Sequence, residues 1–253
     1  MKKISLCLVL LCLVGVLSAY EMNTLIESPT AGILQRGEAE ITTKLFRNNG
    51  VMLGTRVGLF PRFMFGVSFG GEQLVGNLKP EWQDKVEFNA KFRLLDESAQ
   101  YPAVAVGYDS QGHGVFHESV DRYDIKSRGF YLVASKNYFF LGNLGVHAGT
   151  NFSLETGDED KTPNLFAGVD KTVGDVVVVM AEYDFAFNDR ADWLKQTADE
   201  HIENLKRGFL NAGIAVYFTE YLSVKLSFYD LLQKRSDTHG SDRTLTIIYN
   251  MTF

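Results

Sequence analysis

The most constraining feature of this chain is a two-residue period that recurs along it and runs to its last residue. From Arg243 to Phe253, Leu245, Ile247, Tyr249, Met251 and Phe253 fall on one face. Thr244, Thr246, Asn250 and Thr252 fall on the other, with Ile248 the only breach. Successive side chains of a strand point to opposite sides, so this stretch is a ribbon with one apolar and one polar face. Val86, Phe88, Ala90, Phe92 and Leu94 oppose Glu87, Asn89, Lys91 and Arg93 in the same way, and Ala39, Ile41, Thr43 and Leu45 oppose Glu38, Glu40, Thr42 and Lys44. Leu144, Val146, Ala148, Phe152 and Leu154 oppose Gly145, His147, Gly149, Asn151 and Ser153.

The period predicts strands near 35–46, 51–60, 63–70, 86–94, 102–109, 127–138, 144–154, 164–173, 175–187, 207–218, 221–231 and 243–253. Twelve is an even number, and most segments approach the roughly 9–11 residues that cross a bilayer when tilted. If the first strand starts at the inner side, the inner connections are 61–62, 95–101, 139–143, 174 and 219–220. The outer ones are 47–50, 73–83, 110–126, 155–163, 188–206 and 232–242, longer in every case but the first. Short inner turns and long outer loops are the pattern of transmembrane barrels. Within 188–206, Leu194, Ala198, His201 or Ile202, and Leu205 have helical spacing, with Asp189 and Asp192 early and Lys206 late. A short outer helix and a polar loop both fit it.

The chain has 253 residues and a mean hydropathy of −0.06, which suits one domain or one barrel. No run of 18 apolar residues marks a transmembrane helix. Lys2 and Lys3, an apolar run from Ile4 to Leu17, then Ser18 and Ala19 read as a secretory signal peptide over 1–19. Residues 20–34, with Pro29 and Gly32, read as a linker, and 35–253 as the barrel. Both cysteines, Cys7 and Cys12, lie in the leader, so the mature chain has no thiol chemistry. Taking Lys2 and Lys3 from the 25 basic residues leaves 23 against 31 acidic, a net charge of −8, which argues against nucleic acid as a partner.

A soluble sandwich also alternates, but it places charge outside and apolar groups within. Here one face carries aromatics on nearly every strand and the other carries Arg56, Glu87, Lys91, Arg93, Asp170, Glu182, Asp184, Lys225 and Asp230. The closing strand ending in Phe resembles the C-terminal signal of bacterial outer-membrane barrels. With the leader, it selects an all-β fold: one antiparallel up-and-down transmembrane barrel of about twelve strands, apolar face to lipid, with every strand edge closed. Three stretches resemble the YjbH-like family of outer-membrane barrels: Ser28–Ala31; Phe88–Leu95 followed by Tyr101–Gly107; and Tyr131–Tyr138. The resemblance implies exopolysaccharide production or export, and it brings no catalytic residues.

Arg56, Glu87, Lys91, Arg93, His147, Asn151, Asp170, Glu182, Asp184 and Lys225 are the candidate lumen-lining residues. Their charges could pair across the lumen and block it, or line a wet path. Gly54, Gly58, Gly66, Gly70, Gly145 and Gly149 on the inner face leave space, and twelve strands allow a narrow channel. His113 and His117 read as part of a solvated polar loop, since Gly112 and Gly114 oppose the helix that a metal pair would need. His147 reads as a lumen hydrogen-bonder. There is no nucleophile elbow, so no enzyme, metal or cofactor is expected. The discriminating feature would be His147 or His113 meeting a carboxylate or Ser in a cleft. The expected function is a conduit or assembly partner in surface polysaccharide export, with outer-membrane lipid and either polysaccharide or export-machinery proteins as partners. The alternatives are a porin-like solute channel and a structural or adhesive barrel.

Overall fold

The computed structural model describes residues 21–118, 121–174, 176–189, 208–233 and 242–253. The expected leader and the core of the 188–206 insertion lie outside these residues. In chain order the strands are β1 (Glu38–Phe46), β2 (Gly50–Phe60), β3 (Phe63–Glu72), β4 (Glu81–Trp82), β5 (Glu87–Leu95), β6 (Ala103–Asp109), β7 (His113–His117), β8 (Arg122–Ile125), β9 (Gly129–Phe139), β10 (Asn143–Phe152), β11 (Asn164–Val173), β12 (Val177–Asp184), β13 (Phe209–Tyr217), β14 (Leu222–Phe228) and β15 (Arg243–Thr252). Twelve of them pair in the order β2-β1-β15-β14-β13-β12-β11-β10-β9-β6-β5-β3, and the β2–β3 pairing closes the ring. All twelve pairings are antiparallel, and the seam joins the first and last barrel strands, Glu38 opposite Thr252 and Leu45 opposite Leu245.

Closure decides which face is which. Ile41, Leu53, Phe65, Phe88, Phe130 and Leu165 point outward and stay exposed, while their polar neighbours are buried. Such a continuous apolar belt is untenable in water, and it is what a bilayer requires of a barrel whose backbone is fully paired. Aromatics collect at the rims. Phe60, Tyr101, Phe140, Phe218 and Phe253 lie exposed at the short-turn end. At the other end the small strand β4 pairs with β3 and stacks Trp82 flat on Phe69, ring centres 5.8 Å apart.

Three expectations change here. The loop at 110–126 is not irregular: β7 and β8 form a separate hairpin in which Gly114 takes φ +85°. More consequentially, residues 21–34 are not a linker. Asn23, Leu25, Ile26, Ser28, Ala31, Ile33 and Leu34 are buried, and each of the three apolar clusters among the described residues includes part of this segment. Asp230, expected on the inner face of a strand, lies just beyond the end of β14.

Candidate functional site

The N-terminal segment forms a hairpin inside the barrel. Leu25 N–H donates to the Ser28 carbonyl (2.9 Å) and Thr30 N–H to that of Asn23 (3.2 Å), with Thr24 bridging Pro29. The hairpin enters at the short-turn end, where Glu21 pairs with Arg93, and returns there to begin β1. Its tip lies in the other half of the lumen, where Glu27 pairs with Lys44 and accepts from the Tyr229 hydroxyl (2.5 Å). Leu25 and Ile26 pack on Val178, Met180 and Ala215, inward-facing apolar residues that share their face with Glu182 and Asp184 on β12 and with Asn211 on β13.

Charged side chains from several strands hold the hairpin by its backbone. The Glu182 carboxylate accepts from three consecutive amides, Ile26 (3.1 Å), Glu27 (3.1 Å) and Ser28 (2.8 Å), a small nest closed on an anion. Lys91 donates to the carbonyls of Asn23 (2.7 Å) and Gly32 (3.0 Å), Arg93 to Ala31 (2.7 Å), and Lys225 to Leu25 (2.6 Å). Ordering a residue costs about 1–2 kcal/mol. Burying each large apolar side chain returns roughly 1.5–3 kcal/mol. The few large apolar side chains of the segment, Leu25, Ile26, Ile33 and Leu34, therefore recover only part of that cost, and the charge-assisted bonds, about 1.5–3 kcal/mol each, are needed to fix it in place.

All ten candidate residues are on the inner face, and most are fully paired. Arg56 bridges Glu40 (2.7 Å), and Asp184 bridges Arg128 (2.5 Å) while accepting from Asn164 (2.6 Å). Asn151 donates to the Arg128 carbonyl (2.9 Å), and Glu87 accepts from the Tyr123 hydroxyl (3.0 Å). His147 joins Ser135 at Nδ1 and Asp170 at Nε2, both 2.7 Å. This is the meeting of Ser, His and carboxylate that would have argued for a hydrolase. Ser135 Oγ also accepts the Ala31 amide (2.8 Å), which ties the relay to the hairpin backbone. The inner glycines do not leave open space either. A Cβ at Gly58 would lie 1.9 Å from the Gln35 carbonyl oxygen of the returning hairpin, and one at Gly149 would lie 2.4 Å from the Phe166 ring.

The long-loop mouth is closed by a second layer. Arg122, fully buried on β8, bridges Asp158 (2.7 Å) and Asp189 (2.9 Å) from two other loops, and Lys126 reaches Asp158 (2.7 Å). His113, expected in a solvated loop, is buried: its ring stacks on Tyr229 (4.2 Å between centres), and Nε2 meets Asp242 (3.1 Å). It also faces Glu27 at 3.7 Å, which joins the outer hairpin to the tip of the inner one. Burial pushes the Glu27 carboxyl up, but Lys44 and His113 outweigh it and hold it well below the usual carboxylate range. No group of three or more His, Cys, Asp or Glu among the described residues could hold a metal ion.

The hairpin divides what space remains. Between its tip and the outer layer is a cavity of about 120 Å³ lined by Lys44, Arg56, Lys126, Arg128 and Lys225 with Glu27 and Asp109. At the short-turn mouth is one of about 600 Å³, with Glu21, Glu38, Asp170 and Glu220 in its wall and no Lys or Arg.

The family model described as "Exopolysaccharide biosynthesis protein YbjH" matches residues 16–227. The chain belongs to the YjbH family. Comparison with curated proteins finds no match. Solved structures similar to this YjbH-family barrel include the KdgM porin, at TM-score 0.48 and 9% identity over 85% of this chain and 99% of that one. The outer membrane protein Omp33 of Acinetobacter baumannii has TM-score 0.46 and 8% identity over 85% and 97%. The NanC porin has TM-score 0.45 and 9% identity over 85% and 99%. The ten inward residues were legible from alternation alone. The hairpin at 21–34, which Lys91, Arg93, Glu182 and Lys225 hold, carried weaker signals: the family-like Ser28–Ala31 and the apolar residues Met22, Leu25, Ile26, Ala31, Ile33 and Leu34 in a stretch with no period.

Proposed function

We propose that this YjbH-family barrel serves surface exopolysaccharide production as a closed outer-membrane partner of the export machinery rather than as an open diffusion pore. The observation that carries this is the N-terminal hairpin, held in the lumen by Glu182, Lys91, Arg93 and Lys225 from three strands. An open porin keeps its lumen wet. This one fills it with apolar contacts and paired charges. Short turns of transmembrane barrels face the periplasm, so the large cavity opens towards the side from which a polymer would arrive.

The test is single-channel conductance in a planar bilayer, using the full chain and a chain lacking residues 22–34. The full chain should be silent, and the deleted chain should conduct steadily while still migrating as a heat-modifiable barrel. Steady conductance from the full chain would overturn the closed-lumen reading and favour the porin-like alternative.

A further inference from the structure

The geometry points to a ligand site in the periplasm-facing cavity, one that takes neutral or amine-bearing oligosaccharides and turns anionic ones away. The inference rests on the surface-polysaccharide reading and names the sugar chemistry that this site accepts. The cavity, at about 600 Å³, lies within the roughly 300–1,000 Å³ of small-molecule sites. It is the larger of the two spaces described on either side of the hairpin, and it has a floor, walls and a rim of different chemistry.

The floor is the relay Ser135–His147–Asp170, whose bonds of 2.7 Å fix the imidazole and carboxylate before any ligand arrives. The walls carry the amides of Asn137, Asn143 and Asn250; that of Asn137 donates to Glu97 (2.7 Å) and accepts from Asn143 (3.5 Å), so the pair presents a fixed polar edge to sugar hydroxyls. At the rim stand Tyr217 and Tyr221, the latter about half exposed, an aromatic surface for the C–H face of a pyranose. Charge then selects among sugars. Four carboxylates line the cavity, and the Arg93 behind Glu21 offsets one of them. The remainder, Glu38, Asp170 and Glu220, face the space with no Lys or Arg in the lining. An anionic sugar would meet like charge from Glu38 and Glu220, with Asp170 engaged by His147. An amine would be drawn to it, and a neutral sugar would depend on the amides and tyrosines alone.

The test uses the full-length protein in nanodiscs and isothermal titration with three tetrasaccharides: glucosamine, N-acetylglucosamine and galacturonic acid oligomers. The expected order is glucosamine tightest, N-acetylglucosamine weaker, and no binding of galacturonate. Glu38→Gln with Glu220→Gln should weaken the glucosamine tetramer about fivefold, the order expected for losing two solvent-screened charge contacts, and leave the N-acetylated tetramer unchanged. Tyr221→Ala should weaken both. Raised salt should weaken only the amine-bearing ligand. Galacturonate binding as well as glucosamine, or no binding of any tetramer by a folded, heat-modifiable barrel, would overturn the site. The second result in a chain that is also silent in the bilayer would leave the closed-barrel reading standing. Steady conductance by a chain that binds sugars in the expected order would do the reverse.

Discussion

The two mouths of this barrel are made of the same alternating strands and differ in almost everything else. The long-loop mouth is packed: three loops converge on Arg122, and the cavity beneath them is small, with more cations than carboxylates among its charged lining residues. The short-turn mouth is open, five times larger in volume and acidic. Connection length is the cause. The segments between β6 and β9 and between β10 and β11 are long enough to fold back over the lumen, whereas the turns at 61–62 and between β13 and β14 end where their strands end. Among the described residues, the segment that enters from the short-turn side is the N-terminal hairpin, and its tip meets the outer layer at His113. Openness thus follows from which connections have chain to spare, while the hairpin links the two halves.

The comparison can be broken most forcefully at Arg122. Removing one member of a buried ion-pair network costs about 3–5 kcal/mol, because its partners stay buried and charged. Arg122→Ala should unfold the outer layer while leaving the barrel ladder intact. The expected signs are rapid protease cleavage within 110–126 and an unchanged heat-modifiable band; protection equal to that of the parent chain would mean that the network does not hold the layer. Glu182→Ala attacks the inner hairpin instead. Three backbone amides lose their acceptor, at about 1–3 kcal/mol for each group left buried and unpaired. Brief conductance bursts should appear in a bilayer recording that is silent for the parent chain.

Acid probes the junction between the two halves. Glu27 has its pKa depressed by Lys44 and His113 against the opposing effect of burial, and that of Asp242 is depressed, chiefly by its bond to His113, against burial as well. A depressed carboxylate contributes stability that is full above its unfolded value and is lost as the pH falls through the folded one. Protease access to the outer hairpin should therefore rise as the pH drops below about 4, the ordinary carboxylate range. Its independence of pH in that region would argue against the junction. His113→Phe makes the smallest change. It keeps the stack on Tyr229 and removes the bonds to Asp242 and Glu27, so stability should fall by only about 1 kcal/mol. The acid response should flatten, because the depression of Asp242 depends chiefly on this imidazole.

Much of this was legible in the sequence, and the reason is local. In a strand, position parity alone assigns a side chain to one face, so Glu87, Lys91, Arg93, His147 and Lys225 could be placed inside without knowledge of any neighbour. The strand ends were legible to within a few residues because Gly, Asn and Pro mark the turns, as at Asn48, Asn49 and Gly50. The hairpin β7–β8 was missed because two short strands separated by a few residues are too brief to establish a period.

The sequence by itself determined a twelve-stranded barrel, its apolar belt, its inward charges and the asymmetry of its connections. Only the tertiary structure decided that the lumen is filled from within. The anchors of the hairpin sit 59 to 200 residues away along the chain. Each anchor read alone is one more charge on an inner face. What turns them into a clamp is closure of the sheet, which brings Lys91, Ser135, Glu182 and Lys225 around a single segment whose own residues show no pattern.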